Sequence, residues 1–584
     1  MNKICLKIAC ISAVFMLANC FYAHSQTTNA PKREFRAMWI ANVSNVDFPS
    51  SSGLGAAQQQ AEFINFLELA KAANLNAVVV QVRSSCDAMY QSRYEPYSQW
   101  LTGTQGRNPG YDPLRFMIAE SHKRGIEFHA WFNPYRAVVS NTASIDTSHI
   151  SIKQPSWILT YNTLKILDPG LPQVREYVTK IVMDVVRRYD IDAVHFDDYF
   201  YPYPQAGFAL NDEATFQNNS RGISNKDTWR RDNVDLMVKK VADSIKSAKP
   251  HVKFGISPFA IWKNNPNNDA AGSATSGLES YFAIYSDSKK WFQNGWVDYL
   301  IPQVYWQIGF PAANYAVLTP WWASQNTFGN HLYIGQAPYR IATWGNASEM
   351  NTQIQLNRST NGVLGSCFFS AKNFVQNPFG FVDSLRASVF RYKTLVPTML
   401  WRDQNAPMPV RNLVSQFLGN GQTQLTWQKP LPATDGDTAR FYCIYKFFPN
   451  TNINLNDATK ILDITNQTTF IDPTPTDNGQ YVVTALDRYW NESTQATVIG
   501  INEISKVADL FKMYPNPAKE RLKIEANSRN LAVELRNIQG QLLYSINFSA
   551  AGNYQIDLSN IKQGIYFVVA KKDNLVQTEK LVVE

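Results

Sequence analysis

Cysteine is scarce in this 584-residue chain: there are six, and Cys5, Cys10 and Cys20 fall within the first 25 residues. The remaining Cys86, Cys367 and Cys443 are far apart, an odd and sparse set that argues against a disulfide framework. No cysteine pair has zinc spacing, and the seven His form no HExxH or HxH motif, so the sequence supports neither a metal site nor a cofactor. Charge is also thin, with 17% Asp, Glu, Lys and Arg. The net charge is +8, but no run of five like charges occurs, which argues against a dedicated nucleic-acid binder. With 28 Gly and 29 Pro, collagen-like and low-complexity readings fail as well.

Long apolar runs are missing too. The N-terminal segment carries Lys3 and Lys7, an apolar stretch over 8–21 and the small-residue pattern Ala23-His24-Ser25. That order reads as a signal peptide over 1–25, and its apolar stretch is shorter than the ~20 residues a bilayer span needs. No later run approaches that length, so the expectation is a protein exported across the inner membrane, with no membrane span. What the chain has in plenty is aromatic residues: 15 Trp, 28 Tyr and 33 Phe. All the Trp except Trp401, Trp427 and Trp490 lie between 33 and 395. Such wealth serves a large core, or a platform on which flat ligands stack.

From 33 to about 395, short β-rich apolar runs alternate with helical patterns. The expected strands are 35–43, 77–83, 127–133, 193–199, 252–259, 299–306, 332–336 and 363–370, with amphipathic helices such as 58–73, 113–124, 174–189 and 232–248 between them. Near-continuous apolar strands alternating with helices call for a parallel sheet covered on both faces. Eight of them predict an α/β fold, a (β/α)8 TIM barrel. A doubly wound sheet would need a Gly-rich first turn, and Ala41-Asn42-Val43-Ser44 offers none. Beyond residue 395 short alternating strands and turn clusters take over, predicting two small all-β sandwich domains over 407–500 and 505–584.

In such a barrel, function belongs to the carboxyl ends of the strands. Asn42 follows the first strand, Arg83 and Asp87 the second, and Trp131, Asn133 and Arg136 the third. His195, Asp197, Asp198 and Tyr199 follow the fourth, Trp262 the fifth, and Gln303, Tyr305 and Trp306 the sixth. Amides and charges that bind hydroxyls, interleaved with aromatic faces, suit a sugar. Glycoside hydrolysis also needs carboxyl groups, and adjacent Asp197 and Asp198 repel, so one of them should hold its proton near neutral pH. Each residue has a plainer alternative: Arg83 and Arg136 as salt-bridged supports, Trp131 and Trp306 as core, His195 as a packed histidine, and Asp168 as a loop organiser. Asp87 is a distant candidate for the acid.

Eight ordered blocks, FRAMWIANV, NAVVVQVRSSCDAMY, EFHAWFNPYRA, LDPGLPQVR, DAVHFDDYFYP, FGISPFAIW, IPQVYWQIG and LYIGQAPYRI, resemble the glycosyl-hydrolase-like family 10 of bacteria across 33–395. The resemblance implies a TIM-barrel catalytic domain acting on glycans, with peptidoglycan as the expected substrate. The acidic pair is also similar to that of barrel hexosaminidases in which the substrate's N-acetyl group is the nucleophile. That similarity implies that Asp197 orients the acetamido nitrogen, Asp198 is the acid/base and Tyr305 binds the acetamido oxygen. Asn42, Arg83, Asp87, Trp131, Asn133, Arg136, Tyr199, Trp262, Gln303 and Trp306 are then the expected substrate contacts. A non-catalytic carbohydrate- or cell-wall-binding barrel is the competing function. The stretch 407–500 resembles a fibronectin type III module, with Trp427 and Tyr481 as core aromatics. Residues 505–584, with Tyr514-Pro515-Asn516-Pro517, a turn over 537–540, Gly564-Ile565-Tyr566 and Lys580-Leu581-Val582, resemble the C-terminal sorting domain of type IX secretion. The type IX machinery is therefore an expected partner, and the cell surface or the medium the expected destination.

Overall fold

The computed structural model describes residues 30–584 except 141–143, 266–270, 419–421, 450, 474–478, 498–509 and 573–574. The expected signal peptide, 1–25, lies outside the described residues. Eight parallel strands close into a barrel in sequence order: β1 (Phe35–Ile40), β2 (Ala77–Arg83), β3 (Glu127–Phe132), β4 (Ala193–Phe196), β5 (Lys253–Ile256), β6 (Tyr299–Leu300), β7 (His331–Gln336) and β8 (Val363–Phe368). Parallel pairing closes the ring, from Met38 beside Val78 to Phe35 beside Gly365, with register shifts between Gln81 and Arg83 and between Leu332 and Ile334. Helices α1 (Ala56–Ala72), α2 (Pro113–Lys123), α3 (Pro172–Arg188), α4 (Lys226–Ala248), α5 (Ser288–Gln293), α6 (Tyr315–Ser324), α7 (Glu349–Ser359) and α8 (Phe381–Ala387) follow the successive strands.

Local chemistry accounts for these elements. β2 is buried along its whole length, as a parallel strand covered on both faces must be. α1 buries Gln59, Phe63, Phe66, Leu67 and Ala70, one stripe of a 3.6-residue period. Asp112 caps α2 by accepting the Arg115 N–H at 3.1 Å, and Pro113 occupies its first turn. α3 begins at Pro172 and carries Arg187 and Arg188 in its last turn, where cations complement the helix dipole.

Six strands stop sooner than expected, with β1, β4, β5 and β6 ending three residues or more before the expected 43, 199, 259 and 306. β5 ends at Ile256, two residues before Pro258, and β6 ends at Leu300 before Pro302. Proline has no N–H for the ladder, and pairing continues only as isolated bridges from Gln303 to Phe259 and to Gly335. β4 ends at Phe196, so Asp197 and Asp198 stand just past the strand. The loop after β3 carries a small antiparallel sheet of Arg136–Val138, Ile158–Tyr161 and Leu164–Leu167.

The chain forms two compact units, and the stretch 407–500 contributes to both. The first holds the barrel together with residues 429–468 and 479–497. Within it, the sheet of Phe441–Phe447, Ile461–Thr465, Gln480–Leu486 and Ala496–Thr497 shares a core with the barrel, joining Phe441, Tyr445 and Trp490 to Phe35, Tyr299 and Tyr333. Arg440 pairs with Asp190 at 2.5 Å and Asp192 at 3.0 Å, and Lys71 with Asp463 at 2.8 Å. The fully buried Trp490 donates its indole N–H to Glu127 Oε1 at 2.5 Å. Trp490→Phe removes that charge-assisted bond and is expected to cost about 2 kcal/mol in denaturant unfolding. An unchanged midpoint would contradict this docking.

The second unit comprises 412–428, 469–478 and 498–584. It includes a sheet of Arg411–Phe417, Thr423–Gln428 and Thr469–Asp472 and two antiparallel C-terminal sheets. Alternation is clean in the latter: Leu522, Ile524 and Ala526 of one strand turn into a core with Val533, Leu535, Val568 and Leu581. Gly540 sits at φ +80 in the hairpin turn between Leu531–Asn537 and Leu542–Phe548, a conformation glycine adopts without strain. Cys86, Cys367 and Cys443 are buried free thiols. No described helix is long and apolar enough to cross a membrane.

Candidate functional site

A cleft of about 380 Å3 opens at the carboxyl ends of the barrel strands. Trp39, Gln81, Trp131, Arg136, Asp197, Asp198, Ser257 and Gln303 line it, with Tyr199, Tyr203, Phe259, Tyr305, Trp306, Tyr339, Arg340 and Phe369 as further lining. Phe259 meets Trp306 edge-on at 5.8 Å, and Tyr305 lies against Phe369 at 6.1 Å and Tyr339 at 6.2 Å. Rings thus form much of the cleft around two carboxyl groups.

The two carboxyls differ in their partners. Asp197 accepts the Trp131 indole N–H at 3.0 Å, the Asn133 amide at 3.1 Å and the Tyr199 backbone N–H at 3.1 Å. Asp198 accepts the Tyr203 hydroxyl and, at 3.0 Å, the Gln303 amide. Gln303 is held in turn by the Ser257 carbonyl at 2.8 Å. Burial, then the neighbouring Asp198 charge, push Asp197 up to about 6. Burial raises Asp198 as well. Arg136 opposes both shifts; its Nε donates to the Ser84 carbonyl at 2.9 Å and its guanidinium stacks over Tyr199 at 5.2 Å.

The structure brings Asp197, Asp198, Tyr305, Trp131, Arg136, Tyr199, Gln303 and Trp306 into this one cleft, with Asn133 against Asp197. Burial keeps the Tyr305 hydroxyl far above its ordinary range, so it remains a donor. Four other expected contacts lie elsewhere. Arg83 is 1% exposed and belongs to a buried ion pair with Glu95 at 2.6 Å, while also donating to the Pro134 carbonyl at 3.1 Å. Asp87 accepts Ser84 Oγ and the Ser85 N–H, both at 3.1 Å, and so shapes its own loop. Asn42 is buried, and its N–H binds Gln81 Oε1 at 3.0 Å. Trp262 donates to Asp287 at 3.0 Å and stacks on Trp321, outside the cleft lining.

His195 belongs to a buried chain along the barrel axis. Trp39 donates to His195 Nε2 at 3.3 Å, His195 Nδ1 meets the Tyr299 hydroxyl at 3.1 Å, and that hydroxyl meets His129 Nδ1 at 2.8 Å. His129 Nε2 reaches Glu127 at 2.9 Å, beside Lys253. An indole only donates, so His195 Nε2 accepts, Nδ1 carries the proton, and Tyr299 passes its own to His129. Burial lowers His195 well below its usual range, leaving a neutral spacer rather than a base. Gly255 makes room for this arrangement: a Cβ there would stand 2.0 Å from the Tyr299 ring.

Sequence reasoning missed Tyr203, Gln81, Tyr339, Arg340 and Phe369. Gln81 carried a signal, as a lone polar residue inside an apolar strand. Its Oε1 takes the N–H groups of Asn42 and Val43, and its buried Nε2 has no protein partner among the described residues. Tyr203 bonds Asp198 from five residues further along the loop after β4.

The glycosyl hydrolase-like 10 family matches residues 34–352, and the secretion system C-terminal sorting domain matches residues 512–584. Glycosyl hydrolase YngK of Bacillus subtilis (strain 168) is 40% identical over 508 residues, covering 84% of this chain and 98% of that protein. Glycosyl hydrolase DigH of Escherichia coli (strain K12) is 37% identical over 371 residues, covering 59% of this chain and 84% of that protein. Among solved structures, the PgaB glycoside hydrolase domain from Bordetella bronchiseptica aligns with a TM-score of 0.41 at 12% identity, over 61% of this chain and 98% of that one.

Proposed function

The chain belongs to the glycosyl hydrolase-like 10 family, and from that premise we propose that it is a retaining glycoside hydrolase cleaving N-acetylated glycans, with peptidoglycan strands as its substrate. The observation that carries this reading is the buried Asp197-Asp198 pair set among aromatic rings in the cleft. Asp197 is held by three N–H groups, all of which favour its carboxylate form. It accepts the substrate's acetamido N–H. The Asp198 partner on Oδ2 is a hydroxyl, which can donate or accept, so Asp198 tolerates either protonation state.

The acetamido oxygen, steadied by the Tyr305 hydroxyl, attacks the anomeric carbon as the glycosidic C–O bond breaks and Asp198 protonates the leaving oxygen. Water then adds at the same carbon, gives its proton to Asp198 and reopens the ring intermediate. Net retention follows from two displacements. Trp131, Tyr199 and Trp306 offer faces for the sugar rings.

The active form keeps one proton on the pair, so kcat/KM should be bell-shaped about mildly acidic pH. Below the acid limb Asp197 is protonated and cannot orient the acetamide; above the basic limb Asp198 has lost the proton it must give. Burial raises both carboxyls, and a charge on Asp198 raises Asp197 further, so the pair gives up its two protons in separate steps displaced above the range of free carboxylates. A profile flat between about pH 4 and 8 would contradict the assignment.

The C-terminal domain directs the protein to the type IX secretion machinery, which makes it secreted or cell-surface. The stretch 407–500 is read as a fibronectin type III-like module between the barrel and this tag. Mass spectrometry of digests of defined glycans, with and without stem peptides, tests the function. New reducing ends at N-acetylated sugars are expected; affinity without cleavage would make this a carbohydrate-binding barrel instead.

A further inference from the structure

Two of the polar groups left over in the cleft can only donate. Gln81 Nε2 is buried without a partner, and the hydrogen-bonding capacity of the acid pair toward the protein is already taken up by Trp131, Asn133, Tyr199, Tyr203 and Gln303. Two cations line the same space. Arg136 is committed: it braces the Ser84 carbonyl, lies over Tyr199 and stabilises both Asp197 and Asp198 as carboxylates. Arg340 has no such employment. It ends the short 3-10 turn Pro338–Arg340 that follows β7, half-buried, with its guanidinium 5.6 Å from the Tyr339 ring centre and only a long 3.4 Å contact from Nε to that hydroxyl. Among the described residues no carboxylate lies within salt-bridge distance of it.

A guanidinium kept unpaired in a cleft, beside an aromatic ring that limits its motion, is poised to receive an anion from the ligand. We propose that Arg340 forms an anion subsite that reads a carboxylate carried by the sugar, making the enzyme selective for acidic N-acetylated glycans over uncharged ones. The proposal rests on the glycan reading above and adds to it a residue that decides which glycan is taken. Tyr339 couples the subsite to the reaction centre, because its ring meets Tyr305 edge-on at 6.2 Å. A carboxylate drawn to Arg340 therefore sets the height of the sugar whose acetamide Tyr305 must hold. Planar, bidentate capture gives a direction as well as an attraction, so Lys at this position recovers the charge but not the register.

The test compares two probes of equal length: oligomers of N-acetylglucosamine alone, and oligomers alternating N-acetylglucosamine with peptide-free N-acetylmuramic acid. Calorimetry on full-length Asp198→Asn measures binding, and reducing-end release by the active enzyme measures turnover. The expected preference for the carboxylated probe is about ten- to a hundredfold in affinity, shrinking as salt is raised. Adding Arg340→Gln should collapse the ratio between the two probes toward one, with Arg340→Lys intermediate. Equal affinity for both probes in the parent, or an Arg340→Gln ratio that stays where it was, overturns the subsite. A clear preference in binding with no turnover of either probe overturns the hydrolase reading and leaves the subsite standing. Turnover of both probes at equal kcat/KM does the reverse.

Discussion

Asp198→Asn should lower kcat on an N-acetylated glycan by about 10²- to 10⁴-fold while affinity changes only a few-fold. The substitution is nearly isosteric, and its new amide fits the partners already in place. Its oxygen still accepts from Gln303, and its nitrogen donates to the Tyr203 oxygen in place of the bond that hydroxyl made. Only the transferable proton is gone. A glycoside whose leaving group departs without protonation, such as a nitrophenyl N-acetylglucosaminide, should therefore recover much of the lost rate. Asp197→Asn behaves differently, because an amide turned into three N–H donors finds too few acceptors and misplaces the acetamide for every leaving group. Equal rates for wild type and Asp198→Asn on the glycan, or equal losses on both leaving groups, would remove Asp198 from the role of acid.

Arg83→Met should destabilise the folded protein by about 3–5 kcal/mol and act on catalysis only indirectly. The guanidinium is 1% exposed and its Glu95 partner 0%, so the substitution strands a carboxylate in the interior with the Tyr177 hydroxyl at 3.0 Å as its remaining partner. It also frees the Pro134 carbonyl, one residue beyond the Asn133 that holds Asp197. The loss should be read in chemical unfolding, and Arg83→Met/Glu95→Leu should regain part of it, since deleting both charges removes the stranded one. A variant of normal stability with a large KM increase would instead return Arg83 to the substrate contacts.

Arg83 also shows where sequence reasoning stops. An Arg at the end of a barrel strand looks the same whether it faces a ligand or a buried acid. The deciding partner, Glu95, comes twelve residues later in a loop that leaves no periodic trace. Trp262 is a similar case, with its neighbours Asp287 and Trp321 supplied by later segments. The fold was far more legible, because eight strands buried on both faces each write a continuous apolar run. Their ends were less so: apolar character persists through Val304 and Phe259, whereas regular pairing gives way to isolated bridges around Pro302 and Pro258, which lack an N–H for the ladder. Asp197 and Asp198 were visible because two adjacent acids repel and stand at the carboxyl end of a barrel strand, although one of such a pair is as often a helix cap or a hydrogen-bonded orienter. Tyr203 was hidden among the aromatics of the same loop, and Arg340 stood beyond a strand end with no acid or amide beside it.

Substrate assistance is the central claim, and a matched pair of glycans tests it most directly. One oligomer is fully N-acetylated; the other has the same length and linkage with its acetamido groups converted to free amines. Reducing-end release by the wild-type enzyme, followed by mass spectrometry, should appear for the acetylated oligomer and fall to background for the amine. Comparable cleavage of both would show that the acetamido oxygen is not the nucleophile and that a carboxylate of the protein, or a water it activates, attacks the sugar directly.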